Sequence, residues 1–202
     1  MNLHLKLACA ALAMALCSAA AQATTYVRNF TLSGATEDPA NTSLASGSGS
    51  FILDTSVHAF GISLSFANLE GPSAAAHIHC CTSAPSMGNA GVATQTPTFA
   101  DFPTGVNSGS YYHIFNTSQD STWNAAFIAA NGGTALGAEA ALVQGLLNGT
   151  AYMNIHSAAY TGGEIRGFLL PVPEPAGWTL MVLGAAGILL MQRKLEDPLF
   201  EV

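Results

Sequence analysis

Charge is what this chain has least of. Its 202 residues carry 5 Lys and Arg against 12 Asp and Glu. Between Thr24 and Pro173 the bases are Arg28 and Arg166 alone, against eight acids, a net charge of −6. A surface with two cations cannot neutralise a run of phosphates, so nucleic acid is excluded as a partner. Cysteine is also scarce, at 4 residues. There is no internal repeat, no glycine-rich phosphate loop between strand and helix, and no Gly-x-Ser-x-Gly elbow for a nucleophilic serine. Asp101, Asp120 and Glu139 are isolated carboxylates, read as solvated or capping groups rather than a paired acid and base.

What the chain does have is an apolar run at each end. After Lys6, residues Leu7 to Leu16 are almost wholly Ala, Leu, Met and Cys, and Ala21-Gln22-Ala23 has the small-x-small form of a leader-peptidase site. A signal peptide over 1–23 is therefore expected, with the mature chain starting at Thr24. Leu16 is too bulky for Cys17 to be a lipoprotein cysteine. Cys9 and Cys17 leave with the leader, so Cys80 and Cys81 remain. At the other end Ala176 to Met191 is uncharged, and its 16 residues span ~24 Å as a helix, close to the ~30 Å of a bilayer core. Trp178 and the basic Arg193-Lys194 suit the two interfaces. The basic pair places the end of the chain in the cytoplasm and the body outside. A membrane partner is thus expected through a helix at about 176–192, following Pro171, Pro173 and Pro175.

The 150 or so residues between these runs suffice for one domain with a real core. Strands are read at Tyr26 to Leu32, Ser50 to Leu53, Phe60 to Phe66, Ala74 to Cys80, Ser110 to Asn116, Ala151 to His156 and Glu164 to Leu169. Ser33 to Gly49 and Thr82 to Gly109 read as loops, the second long enough to serve a function and placed to cover the histidine strand. Two short helices are read at Thr122 to Ala130, capped by Ser121, and at Glu139 to Leu147. The last two strands, linked by Ser157 to Gly163, make an antiparallel hairpin. The fold class is all-β: a Greek-key β-sandwich with a two-helix insertion.

Strand alternation gathers the polar residues. With Ile78 inward, His77 and His79 share the opposite face; Asn154 with His156, and Glu164 with Arg166, do the same around Ile155 and Ile165. If the strands are neighbours, these groups form one cluster. His77, His79 and His156 then suit one zinc or copper ion, with Glu164 either a fourth ligand or, like Arg166 and Asn154, behind them to orient or neutralise. The competing reading is a purely structural polar network, with Glu164 paired to Arg166 or to a histidine. His58 and His113 stand alone and are read as surface or edge residues. Three readings stay open for Cys80-Cys81: a bond between neighbours, preferred in an oxidising compartment; a Cys81 thiolate on the same metal; or two free thiols.

Two resemblances add to this. Val172-Pro173-Glu174-Pro175, an apolar helix and Arg193-Lys194 resemble a PEP-CTERM sorting tail over 172–202, here continued by Leu195 to Val202. That resemblance implies a Gram-negative bacterium, an exosortase-type processing enzyme as partner, and a protein anchored in the inner membrane before release to the surface. The body over 24–171 resembles the CHRD domain: Leu32-Ser33-Gly34-Ala35, then Ala76-His77-Ile78-His79, then Asn154-Ile155-His156-Ser157 and Gly162-Gly163-Glu164-Ile165-Arg166-Gly167. The resemblance implies an immunoglobulin-like sandwich and no established bacterial activity. The function expected is an exported binding or structural module with a polysaccharide or protein partner. The alternative is a small zinc- or copper-dependent, redox-capable enzyme outside the cytoplasm.

Overall fold

Alternating apolar and small polar residues build seven strands: β1 (Thr25–Ser33), β2 (Ser46–Asp54), β3 (Ala59–Ala67), β4 (Ser73–His79), β5 (Gly109–Asn116), β6 (Tyr152–Ser157) and β7 (Ile165–Phe168). The computed structural model of the chain describes residues 25–171. The expected leader at 1–23 and sorting tail at 172–202, with its spanning helix, lie outside the described residues. Among the described residues no helix is long and apolar enough to cross a membrane.

The all-β reading holds, in the form of one curled sheet. All seven strands hydrogen-bond in the order β4-β6-β7-β1-β2-β3-β5, and every pair is antiparallel. One face carries the core, including Phe30, Leu32, Phe51, Phe60, Ile78 and Ile155. Burying each such side chain is worth ~1.5–3 kcal/mol. Strand β4 does not pair with its predecessor β3 but crosses to the far edge beside β6, so β4 and β5 are the two edge strands.

Both edges are covered by the same long connection, residues 80–108. Phe99 N–H donates to Ala76 O at 3.1 Å, while Thr98 Oγ1 and Thr94 Oγ1 accept from the backbone of Ala76 and Ile78, each at 3.0 Å. On the other edge Tyr111 Oη donates to Ala100 O at 2.6 Å, and Phe99 stacks on Tyr111. At β4 the loop therefore satisfies backbone groups that an open edge would leave for another chain, while at β5 it packs on the strand through side chains.

Strand β2 begins at Ser46, inside the expected Ser33 to Gly49 loop. Its start, Ser46-Gly47-Ser48-Gly49, has loop composition, but the glycines serve close packing. A Cβ on Gly49 would stand 2.3 Å from Ser63 O and 2.6 Å from the Phe30 ring. The helices also shift. The first, α1 (Ala125–Ala130), is capped by Asn124, which accepts from Ala126 N–H, and not by Ser121. The second, α2 (Ala135–Asn148), starts four residues before Glu139, where Thr134 accepts from Gly137 N–H. Gly137 is not a breaker here: its missing side chain leaves room for Asn131 O. Gly149, at φ 66°, closes α2. Ala138, Leu142 and Leu146 bury the helix against the core, and Arg28 donates to Leu146 O at 3.3 Å at its C-terminal end.

Candidate metal centre

The strand pairing that builds the core also builds a polar pocket on the opposite face of β4, β6 and β7. His77 pairs with Asn154, and Asn154 with Arg166; His79 pairs with Tyr152, and Ala75 with His156. The three imidazoles converge. Their ring centroids are 5.3–5.8 Å apart, and one ring nitrogen from each lies within 4.8 Å of the others.

The hydrogen bonds fix which nitrogen that is. His77 Nε2 lies 2.6 Å from Pro97 O, His79 Nδ1 2.9 Å from Ala90 O, and His156 Nδ1 3.0 Å from Thr161 O. A carbonyl only accepts, so each of these nitrogens carries the proton. That leaves lone pairs on His77 Nδ1, His79 Nε2 and His156 Nε2, and these three atoms are buried without a hydrogen-bond partner. Burial pushes His77 and His79 down to about 4 and His156 downward too; the neighbouring histidines add to the fall for the first two. The cluster is therefore neutral at pH 7, the state in which imidazole binds a metal. The long loop supplies two of the three carbonyls, and a backbone carbonyl on the far nitrogen is the usual way a ligand histidine is oriented.

The residues expected behind the histidines do not act alike. Arg166, 2 % exposed, is held by Thr36 O, by Gly88 O at 3.1 Å and by Asn89 Oδ1 at 2.9 Å. Its cation lies 4.8 Å from the Tyr152 ring, and that ring stacks on His79. Its carboxylate neighbour is Glu37, at 3.7 Å, not Glu164. Burial raises the Glu37 carboxyl to about 7, against the opposing pull of Arg166 and of a hydrogen bond from Asn154. Glu164 turns away from Arg166: its Oε1 accepts from Ser43 Oγ and from Glu70 N–H, each at 2.7 Å. It ties three loops together and pairs with no histidine. Asn154 Oδ1, Glu37 Oε1 and Glu164 Oε2 are buried and unpartnered as well.

Glu37 gave no sequence signal beyond the Leu32-Ser33-Gly34-Ala35 motif that brings the chain past Arg166. Cys80 and Cys81 are bonded to each other, so neither offers a thiolate to the pocket. Both sulfurs rest on Gly145 of α2, where a Cβ would meet them at 2.4 and 2.9 Å. His58 is not solitary. Its Nδ1 lies 3.1 Å from both oxygens of Glu139, a buried carboxylate that also accepts from Thr117. Glu139 is therefore neither solvated nor a cap, since its helix runs beneath the β2–β3 turn. His113 lies 3.9 Å from Asp101.

The model of the CHRD domain family matches residues 28–169 of the chain. That span holds the core, the three histidines and Arg166. No curated protein and no solved structure shows a significant match.

Proposed function

The chain belongs to the CHRD domain family, and we propose that it works as an exported binding module whose three-histidine pocket holds one zinc or copper ion. The observation that carries this reading is the set of three buried, partnerless nitrogen lone pairs, each imidazole pinned from behind by a backbone carbonyl. Unpaired buried polar atoms are costly, and three facing one point are costlier than three scattered. A cation bound there satisfies all three. Nitrogen donors without a carboxylate select a borderline metal over calcium or magnesium. The nitrogens are shielded from solvent, which favours a held ion over the open position that a catalytic metal needs. Asn154, Glu37 and Arg166 form the polar wall behind the pocket, and Arg166 balances the buried acid.

In the same reading the leader is removed before Thr24, and the tail with Pro173, Glu174, Pro175, Arg193 and Lys194 anchors the domain until an exosortase-type enzyme processes it at the surface. N-terminal sequencing of the exported protein starts at Thr24; an intact leader on the exported form refutes this part.

The metal reading is tested by elemental analysis of the full-length chain beside a His77→Ala/His79→Ala variant and a milder His156→Gln variant. The expected result is about one zinc or copper per chain, lost in both variants while their circular dichroism stays native. A wild-type chain that takes up neither metal after reloading would refute the site and leave the histidines structural.

A further inference from the structure

The outer face of β1, β2, β3 and β5 lies away from the metal pocket and is unused by the reading above. Register arranges its side chains in rows. Val27, Ile52, Gly61 and Ile114 form one row; Asn29, Ser50, Ser63 and Tyr112 the next; Thr31, Ser48, Ser65 and Ser110 the third. No acidic or basic side chain stands in these rows. Tyr112 is 68 % exposed and Ile114 59 %, with Val27 and Ile52 also open to water.

Size makes the face concave. On this face the middles of β2 and β3 carry only Ser48, Ser50, Ser63 and Ser65, with Gly61 beside them, so the surface sinks along them. Three depressions run end to end: about 240 Å³ around Gly61 between Ile52 and Ile114, about 570 Å³ over Ser48, Ser50, Ser63 and Ser65, and about 260 Å³ around Ser46 and Ala67. The run of β2 from Ser46 to Ile52 makes the trough ~20 Å long, at ~3.3 Å per residue.

We infer that this trough is a docking site for an extended, neutral polysaccharide. Charge matching selects the class. The one ion in the lining is the Asp54 carboxylate at the apolar end; it repels a phosphate or a uronate and offers a basic peptide a single counter-charge, while the hydroxyl rows can exchange hydrogen bonds with a hydroxyl-rich chain. Tyr112 and the apolar row at one end supply a flat surface for the C–H face of a sugar ring, with a phenolic hydroxyl at its rim. A protein partner would call for a closed apolar centre with a polar rim. Here the centre is hydroxylic and the apolar row is terminal, which suits a chain lying lengthwise. The trough shares no residue with the histidine pocket, so neither reading depends on the other.

Native affinity electrophoresis of the full-length chain tests this, in gels cast with hydroxyethyl cellulose, with galactomannan, or with the acidic polymer alginate. Both neutral polymers are expected to retard the protein and alginate is not. Tyr112→Ala/Ile114→Ser weakens the retardation at least tenfold, and so does Ser63→Glu, which puts a charge in the trough. His77→Ala/His79→Ala leaves it unchanged. Unaltered mobility in both neutral gels overturns the proposal, as does equal retardation of folded trough variants. A concentration-dependent dimer that Tyr112→Ala/Ile114→Ser dissolves also overturns it, by assigning the face to a second copy.

Discussion

A histidine that titrates lower in the native state than in the unfolded chain makes a fold sensitive to acid. His77 and His79 fall from 6.5 to about 4. Between those values the unfolded chain binds more protons than the native one, so stability drops as pH falls through this window and is flat above it. Glu37 works the other way: raised from 4.5 to about 7, its contribution is full below 4.5 and is lost as pH rises to 7. Two histidines oppose one carboxyl, so the metal-free protein loses stability on the order of a few kcal/mol from pH 6.5 to 4. Thermal melts across that range check the sign; a melting temperature that rises on acidification contradicts it. Arg166 supports a second prediction. Replacing it with methionine leaves Thr36 O, Gly88 O and Glu37 without their donor or counter-ion inside the protein. The expected cost is ~3 kcal/mol, read as a lower urea midpoint. Lysine, lacking the planar fork, recovers only part of it.

At the scale of elements, contact decides where propensity would mislead. Gly145 sits within α2, and alanine there would ordinarily favour the helix by ~1 kcal/mol. Its Cβ would instead overlap both sulfurs of the Cys80–Cys81 pair. Gly145→Ala is therefore expected to destabilise by ~1–3 kcal/mol, whereas Thr134→Ala costs ~1 kcal/mol through loss of the cap alone. Chemical denaturation separates the two. The strands that bear the histidines were legible in the sequence because alternation is a local pattern, and one inward isoleucine fixes the facing of its neighbours. The first half of β2 was not, because serine and glycine spell a loop until Phe30 and Ser63 are known to press on them. The start of α2 was hidden for a related reason, since a glycine two residues into a helix counts as a breaker unless its neighbour caps it.

At the scale of the whole molecule, the site could be read only in outline. That His77, His79 and His156 share a pocket follows once β4 and β6 are taken as neighbours. That Arg166 answers Glu37 and not Glu164 depends on a loop 129 residues away in sequence (166 − 37), which no local pattern reports. The single curled sheet escaped for the same reason, because its order β4-β6-β7-β1-β2-β3-β5 pairs strands that lie far apart in the sequence. If the pocket holds an ion, ligand linkage adds ~2.7 kcal/mol at a free metal concentration 100 times the dissociation constant. At this size that raises the melting temperature by roughly 5–10 °C. Scanning calorimetry with and without metal reads the difference. His156→Gln abolishes it, while Tyr112→Ala leaves it intact.

The long covering loop has a consequence for when the pocket exists at all. Two of the three imidazoles are aimed by carbonyls that this loop carries, at Ala90 and Pro97, and the third comes from a strand 77 residues beyond His79 (156 − 79). An unfolded or half-made chain owns all three histidines but no common point for them. If the pocket holds an ion as proposed, occupancy becomes a certificate of completion: a chain would acquire the ion only after edge, loop and hairpin have closed on one another, and surrender it in the same cooperative step in which they part.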